Sequence, residues 1–266
     1  MDLLKSIAKN KKLIMFLSKD DIKKSYAGSY LGMIWAFIQP CVTILIYWFV
    51  FQVGLKAVAP GDYSGMPYII WIMCGLIPWF FFSGALNSVT GVFLEYSYLV
   101  KKVVFDIEIL PIIKIISQLF VHLFFIILLF VVMAIFGRYP NIASLQVFYY
   151  SFCMIVLVIT VGYFTASITV FFRDITQIVG VVLQAGMWLT PIMWSFDMVK
   201  GYWFSFIFKL NPMYYVVEGY RSCLLRNEYI LTHPYLTIYF WLLVLILAVI
   251  GKHIFNKMRP HFADVL

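Results

Sequence analysis

Charge is what this chain lacks most: Asp, Glu, Lys and Arg make up 12% of its 266 residues, and nearly all stand outside the long apolar runs. Only Lys114 lies well inside one. A carrier driven by protons or sodium keeps ionisable groups at membrane depth, where they bind and release the coupling ion. Their scarcity points to a driving force outside the chain. No GxxxxGK[ST] sequence occurs, so there is no P-loop to cradle ATP phosphates. HExxH, GxSxG and paired carboxylates at membrane depth are also missing, which leaves no catalytic residue to nominate. Cys41, Cys74, Cys153 and Cys223 are far apart, with no CxxC pair or metal-ligand spacing, and read as packing residues. The first 30 residues contain no continuous apolar core ending in small residues. No cleavable signal peptide is therefore expected.

Apolar surface is abundant instead: 64% of residues are hydrophobic, 20% are aromatic, and the mean hydropathy is +0.94. A soluble domain of this length cannot bury that much, so lipid must cover it. The formal net charge of +8 comes from basic residues in short joints between apolar runs, with no continuous basic face. That arrangement suits a membrane surface and speaks against nucleic acid.

At roughly 20 apolar residues per crossing, the runs predict one all-α membrane domain over 1–266, with six spans at 31–55, 67–94, 109–136, 145–171, 175–194 and 235–254. Phe171-Phe172-Arg173-Asp174-Ile175 is the only polar break in a long apolar stretch, and predicts a tight turn. One side collects Lys5, Lys9, Lys11, Lys12, Lys19, Lys23 and Lys24, then Lys101, Lys102, Arg173, Lys252, Lys257 and Arg259. The other has Lys56, Arg138, Lys200, Lys209, Arg221 and Arg226. The excess predicts a multi-pass protein of the cytoplasmic membrane with both termini cytosolic.

Residues 1–28 form an amphipathic pattern, with Leu3, Ile7, Ile14 and Leu17 in one sector and Lys5, Lys12, Lys19 and Lys23 opposite. This predicts a helix along the cytosolic interface, serving as a topology anchor or as a docking element for a partner. Asp21 and Asn10 fall on the apolar sector, which favours contact with protein over immersion in lipid. Residues 196–233 are neither a crossing nor an ordinary polar loop. Two apolar halves, each too short to span, flank Asn211-Pro212 and predict a re-entrant helical hairpin at the extracytoplasmic mouth. Tyr214 and Tyr215 lie in its second half, where Glu218 and Arg221 are spaced to pair on one face. His122, alone within a span, reads as an interhelical hydrogen-bonding residue.

Several segments together carry a family resemblance. They are Asp20-Asp21-Ile22-Lys23, Ser29-Tyr30-Leu31-Gly32-Met33-Ile34-Trp35 with Gln39-Pro40, Pro78-Trp79-Phe80-Phe81, Leu99-Val100-Lys101-Lys102-Val103-Val104-Phe105 and Phe172-Arg173-Asp174-Ile175. Thr190-Pro191-Ile192-Met193-Trp194, Asn211-Pro212-Met213-Tyr214-Tyr215 with Glu218-Gly219-Tyr220-Arg221, and Arg259-Pro260-His261-Phe262-Ala263-Asp264 continue the series in order. The ordered set resembles the permease subunits of ABC exporters for lipid-linked polysaccharides, and the chain is thus similar to transmembrane subunits that export teichoic acid, O-antigen or capsule.

The resemblance implies a homodimer with a channel at its interface and two cytosolic ATPase subunits, which bind ATP and Mg; no cofactor belongs to this chain. It further implies a coupling helix at 95–108, with Tyr98, Leu99, Lys101, Lys102, Phe105 and Asp106 facing the ATPase and Arg173 and Asp174 nearby. The implied substrate carries an undecaprenyl diphosphate, for which Lys24, Lys102, Lys114 and Arg173 are headgroup candidates by side and depth. Tyr30, Trp35, Trp48, Phe51, Trp71 and Trp79 are candidates for lining the channel, since aromatic faces stack on sugar rings. The same residue types also gather at membrane interfaces whatever the substrate. A permease for drugs or lipids would share the topology without this motif combination, and an integral-membrane transferase would need an acid/base pair or nucleophile near an interface.

Overall fold

In a computed structural model, described for residues 2–26, 28–60, 63, 65–101 and 106–266, every regular element is helical and no strand occurs among the described residues. Five helical segments are long and apolar enough to cross a membrane: Gly32–Gly54, Tyr68–Thr90, Ile107–Ile135, Ile142–Thr169 and Pro234–Val265. A sixth apolar helix, Ile175–Leu189, has only 15 residues. At 1.5 Å per residue it covers about 22 Å, short of a hydrocarbon core of roughly 30 Å. The expected span 175–194 therefore ends early. Pro191 disfavours helical geometry at the residue before it, and Thr190 accordingly turns extended at φ −87°, ψ 131°.

The chain starts with α1 (Asp2–Lys9) and α2 (Lys11–Ser25), broken at Asn10, followed by α3 (Trp35–Trp48), which has a 3-10 turn before it and a π-helical end after it. Next come α4 (Tyr68–Thr90), the short α5 (Val92–Glu95) and α6 (Ser97–Val100), then α7 (Leu110–Ile135), α8 (Gln146–Thr169) and α9 (Ile175–Leu189). Two short helices, α10 (Ser205–Leu210) and α11 (Pro212–Arg221), meet at Asn211 and precede α12 (Pro234–Met258) and α13 (Phe262–Val265).

The hub is α4, most of whose residues are buried by α7, α8 and α11. Its sequence is apolar all round, as a helix surrounded by other helices must be. The segment Gly32–Gly54, by contrast, buries only Ala36 and Ile44, and α9 turns Ile178, Val181, Val182, Trp188 and Leu189 outward. Close approach elsewhere depends on missing side chains. A Cβ on Gly251 of α12 would stand 2.7 Å from the Thr160 carbonyl oxygen of α8, and one on Gly219 would meet the Tyr150 ring at 2.2 Å.

Candidate functional site

The polar residues left out of the apolar runs collect at the two ends of the bundle. At the first end, α2 lies on α7: the Ser18 hydroxyl donates to the Ile113 carbonyl at 3.1 Å, and that of Ser117 donates to the Ser18 carbonyl at 2.9 Å. Ile14, Ser18 and Asp21 form the buried face. The amphipathic pattern thus docks on the chain's own third long helix, and the polar residue in its apolar sector has a specific purpose. Asp21 meets Lys114 at 2.6 Å, Glu95 reaches the same ammonium at 2.8 Å, and the Tyr96 hydroxyl donates to Asp21 at 2.9 Å. The Tyr96 ring centroid lies 5.3 Å from the ammonium. Burial, reinforced by the neighbouring Asp21 carboxylate, raises the Tyr96 hydroxyl well above the usual phenol range, so it stays a donor.

Further bonds draw both termini to this end. Ser6 donates to Asp106, Arg259 pairs with Glu108, and the Tyr163 hydroxyl donates to the Glu108 carbonyl. Phe262 of α13 is fully buried, with ring centroids of Phe93 at 5.1 Å, Phe255 at 6.0 Å and Phe171 at 6.2 Å. α1, α2, residues 92–101 and 106–108, the α8–α9 turn and the tail therefore form one assembly. Tyr98 and Lys101 are exposed on it, Leu99 and Asp106 are half-buried, and Arg173 and Asp174 are exposed on the turn. Lys102 and Phe105 lie outside the described residues. Lys24 is exposed and pairs with Asp20 at 2.8 Å; that hydrogen bond holds its ammonium above the usual range.

The expectation that Lys114 faces a lipid headgroup loses its basis here. Its side chain is 5% exposed and its charge is met by two carboxylates, so it ties α7 to α2 and α5.

The opposite end centres on Arg221, whose side chain turns inward from α11. Its two terminal nitrogens donate to the Pro191 and Ile192 carbonyls at 2.6 Å each, and the guanidinium stacks on Trp71 at 3.9 Å. These carbonyls are released where α9 stops. The expected Glu218–Arg221 pair gives way to a different one: Glu218 accepts from Arg226 at 2.9 Å and from the Tyr63 hydroxyl at 2.7 Å. The helix is π-helical over Ser222–Arg226, which changes the angular offset that a spacing of eight would give in a regular α-helix. Burial raises the Tyr63 hydroxyl, and the Glu218 carboxylate adds to the effect. Asn211 caps α11 by accepting from the Met213 amide at 3.0 Å and donates to Thr190 at 2.8 Å, which places Pro212 at the first helical position. Tyr214 packs against Phe196 at 5.2 Å, while the Tyr215 hydroxyl lies 3.0 Å from that of Thr237.

Between the ends, His122 Nε2 is 3.2 Å from both Ser151 Oγ and the Tyr220 hydroxyl, joining α7, α8 and α11 as the interhelical reading expects. The aromatic candidates separate into two groups. Tyr30 and Trp35 are exposed; Trp48, bonded to Gln52 at 2.5 Å, and Phe51, stacked on Tyr68 at 6.3 Å, are half-buried. Trp71 and Trp79 are 1% and 4% exposed and belong to the core of the chain, on the part of α4 covered by its neighbours. Tyr63, Arg226 and Asp21 were not singled out by sequence reasoning as site residues, and only Asp21 carried a signal, its place in an apolar sector.

An all-helical chain with five membrane-length helices and its polar contacts concentrated at the ends of the bundle is a multi-pass membrane protein. Residues 12–225 match the family model of the ABC-2 type transporter, and the chain belongs to that family. It is similar to an O-antigen export system permease protein RfbA of Klebsiella pneumoniae, 26% identical over 256 residues, covering 96% of this chain and 95% of the relative. A protein of the same name from Myxococcus xanthus is 24% identical over 263 residues, covering 98% of each chain.

Proposed function

We propose that this chain is the channel-forming subunit of an ATP-driven exporter that carries an undecaprenyl-diphosphate-linked polysaccharide, of the O-antigen type, across the cytoplasmic membrane. The observation that carries this reading is the polar end where α1, α2, residues 92–101 and 106–108, the α8–α9 turn and α13 interlock. Force applied to exposed Tyr98, Lys101, Arg173 or Asp174 would reach α7 through Lys114 and α12 through Arg259. The end holding both termini is cytosolic by its excess of Lys and Arg, and receives two copies of an ATPase that bind ATP and Mg. Six crossings follow when α9 is counted, with α10 and α11 forming the re-entrant hairpin at the outer mouth. The outward apolar faces of α3 and α9 suit a second copy of the chain, with the glycan path between the two. Exposed Lys24 and Arg173 remain headgroup contacts for the diphosphate, together with Lys102.

Co-purification with a candidate ATPase, followed by transport of lipid-linked glycans of different chemistry in proteoliposomes, tests the reading. The expected outcome is a stable complex whose ATP hydrolysis rises with O-antigen-type substrate. A permease that associates with no ATPase defeats it.

A further inference from the structure

A cleft of about 410 Å³ opens between α2, α3, α4 and α7, within the roughly 300–1,000 Å³ range of small-molecule sites. Its lining includes three side-chain amides, Gln39, Asn87 and Gln118. Gln39 is seven residues, or about 10 Å, into its span, and Gln118 is eleven residues, or about 16 Å, into its own. The hydroxyls of Ser25, Thr43, Ser83 and Ser117 along the same walls already donate to carbonyls of their own helices. The amides do not. Gln118 makes one long contact, 3.4 Å, to Ser88, while among the described residues the side chains of Gln39 and Asn87 have no hydrogen-bond partner. For Gln39 and Gln118, polar groups at such depth are costly without a partner and are kept where they serve a ligand or pathway, while Asn87, three residues before the end of α4, is exposed beside them.

The chemistry of the walls narrows that ligand. Among the described residues no Lys or Arg lines the cleft, and the carboxylate of Asp21 is already held by Lys114 and Tyr96, so a phosphate finds no countercharge there. An acyl chain would leave three amides unsatisfied. Amides that both donate and accept, set beside the rings of Phe80, Phe81 and Phe125, match the hydroxyls and C–H faces of an uncharged sugar. Gly84 preserves the room, since a Cβ there would stand 3.1 Å from Gln118 Oε1. We propose that this cleft binds a neutral sugar unit through Gln39, Asn87 and Gln118, apart from the anionic headgroup. The proposal rests on the export reading and adds where an uncharged part of the cargo is held.

The test uses the permease–ATPase complex in nanodiscs with tritiated dodecyl β-maltoside as the neutral-sugar probe. Dodecyl phosphate and monododecanoyl glycerol compete as the phosphate and lipid arms. The parent should bind the maltoside saturably, and the double variant Asn87→Leu, Gln118→Leu should weaken binding at least about tenfold, the loss expected for two hydrogen bonds. Neither competitor should displace the probe at equal concentration. Unchanged affinity in a variant that elutes and melts like the parent overturns the proposal, as does displacement by either competitor. If the double variant misfolds, Gly84→Ala crowds Gln118 without removing an amide, and must lower affinity; an unaltered affinity counts equally against the cleft. A parent that retains its ATPase but binds the probe no better than the variants sinks the cleft alone, whereas a parent without an ATPase sinks the export reading.

Discussion

Lys114 stands in an apolar helix with Asp21 and Glu95 as its counterions, and the pair with Asp21 is shielded on both sides. Removing one member of a buried pair leaves an uncompensated charge at a cost of about 3–5 kcal/mol, whereas removing both costs much less. Lys114→Met and Asp21→Asn are each expected to lower the unfolding midpoint of the detergent-solubilised protein, with the double variant well short of their sum. Additive losses would show that the two residues do not act as a pair. Arg221 offers a parallel case. Lys in its place keeps the charge but loses the planar fork that serves two carbonyls and the flat stack on Trp71, so Arg221→Lys should cost about 2–4 kcal/mol in the same measurement. At this scale the sequence was half legible. Spacing marked Glu218 and Arg221 as neighbours, but not that Arg221 would turn inward to carbonyls freed thirty residues earlier. Lys114 was visible as an exception, while its partner lies 93 positions away, beyond the reach of any local pattern.

Long apolar runs made the helices themselves readable, because a bilayer crossing demands length and composition that little else produces. Where a run ends is a subtler matter. Apolar residues continue to Trp194, yet α9 stops at Leu189 because Pro191 acts on the backbone and hydropathy takes no account of that. The packing of α12 on α8 was equally hidden, since it depends on the absence of a side chain at Gly251. Gly251→Ala should force the helices apart and lower stability by about 1–3 kcal/mol, read from the thermal midpoint in detergent. An unchanged midpoint would mean that the Thr160 backbone yields without cost.

The whole molecule has an arrangement that impermeant thiol labelling can read. Cys74, Cys153 and Cys223 are buried and Cys41 is half-buried within a span, so the background should be low. Lys5→Cys and Lys257→Cys should react in inside-out vesicles only, and Tyr202→Cys in right-side-out vesicles only; Lys5 and Lys257 variants reacting from opposite sides would contradict an even number of crossings. Charge counting predicts the sidedness, but the interlocking of both termini with residues 106–108 came from contacts such as Ser6–Asp106 and Arg259–Glu108, a hundred or more positions apart. That separation also sets an order of events in synthesis. Asp21 leaves the ribosome 93 residues before Lys114, a delay on the order of 5–20 s at typical translation rates of about 5–20 residues per second. Until α7 arrives, α2 has no cation for its carboxylate and no surface for Ile14 and Ser18. α2, made before every span, is therefore seated only after two long helices have preceded its partner, and insertion of the third long helix is the step that permits it.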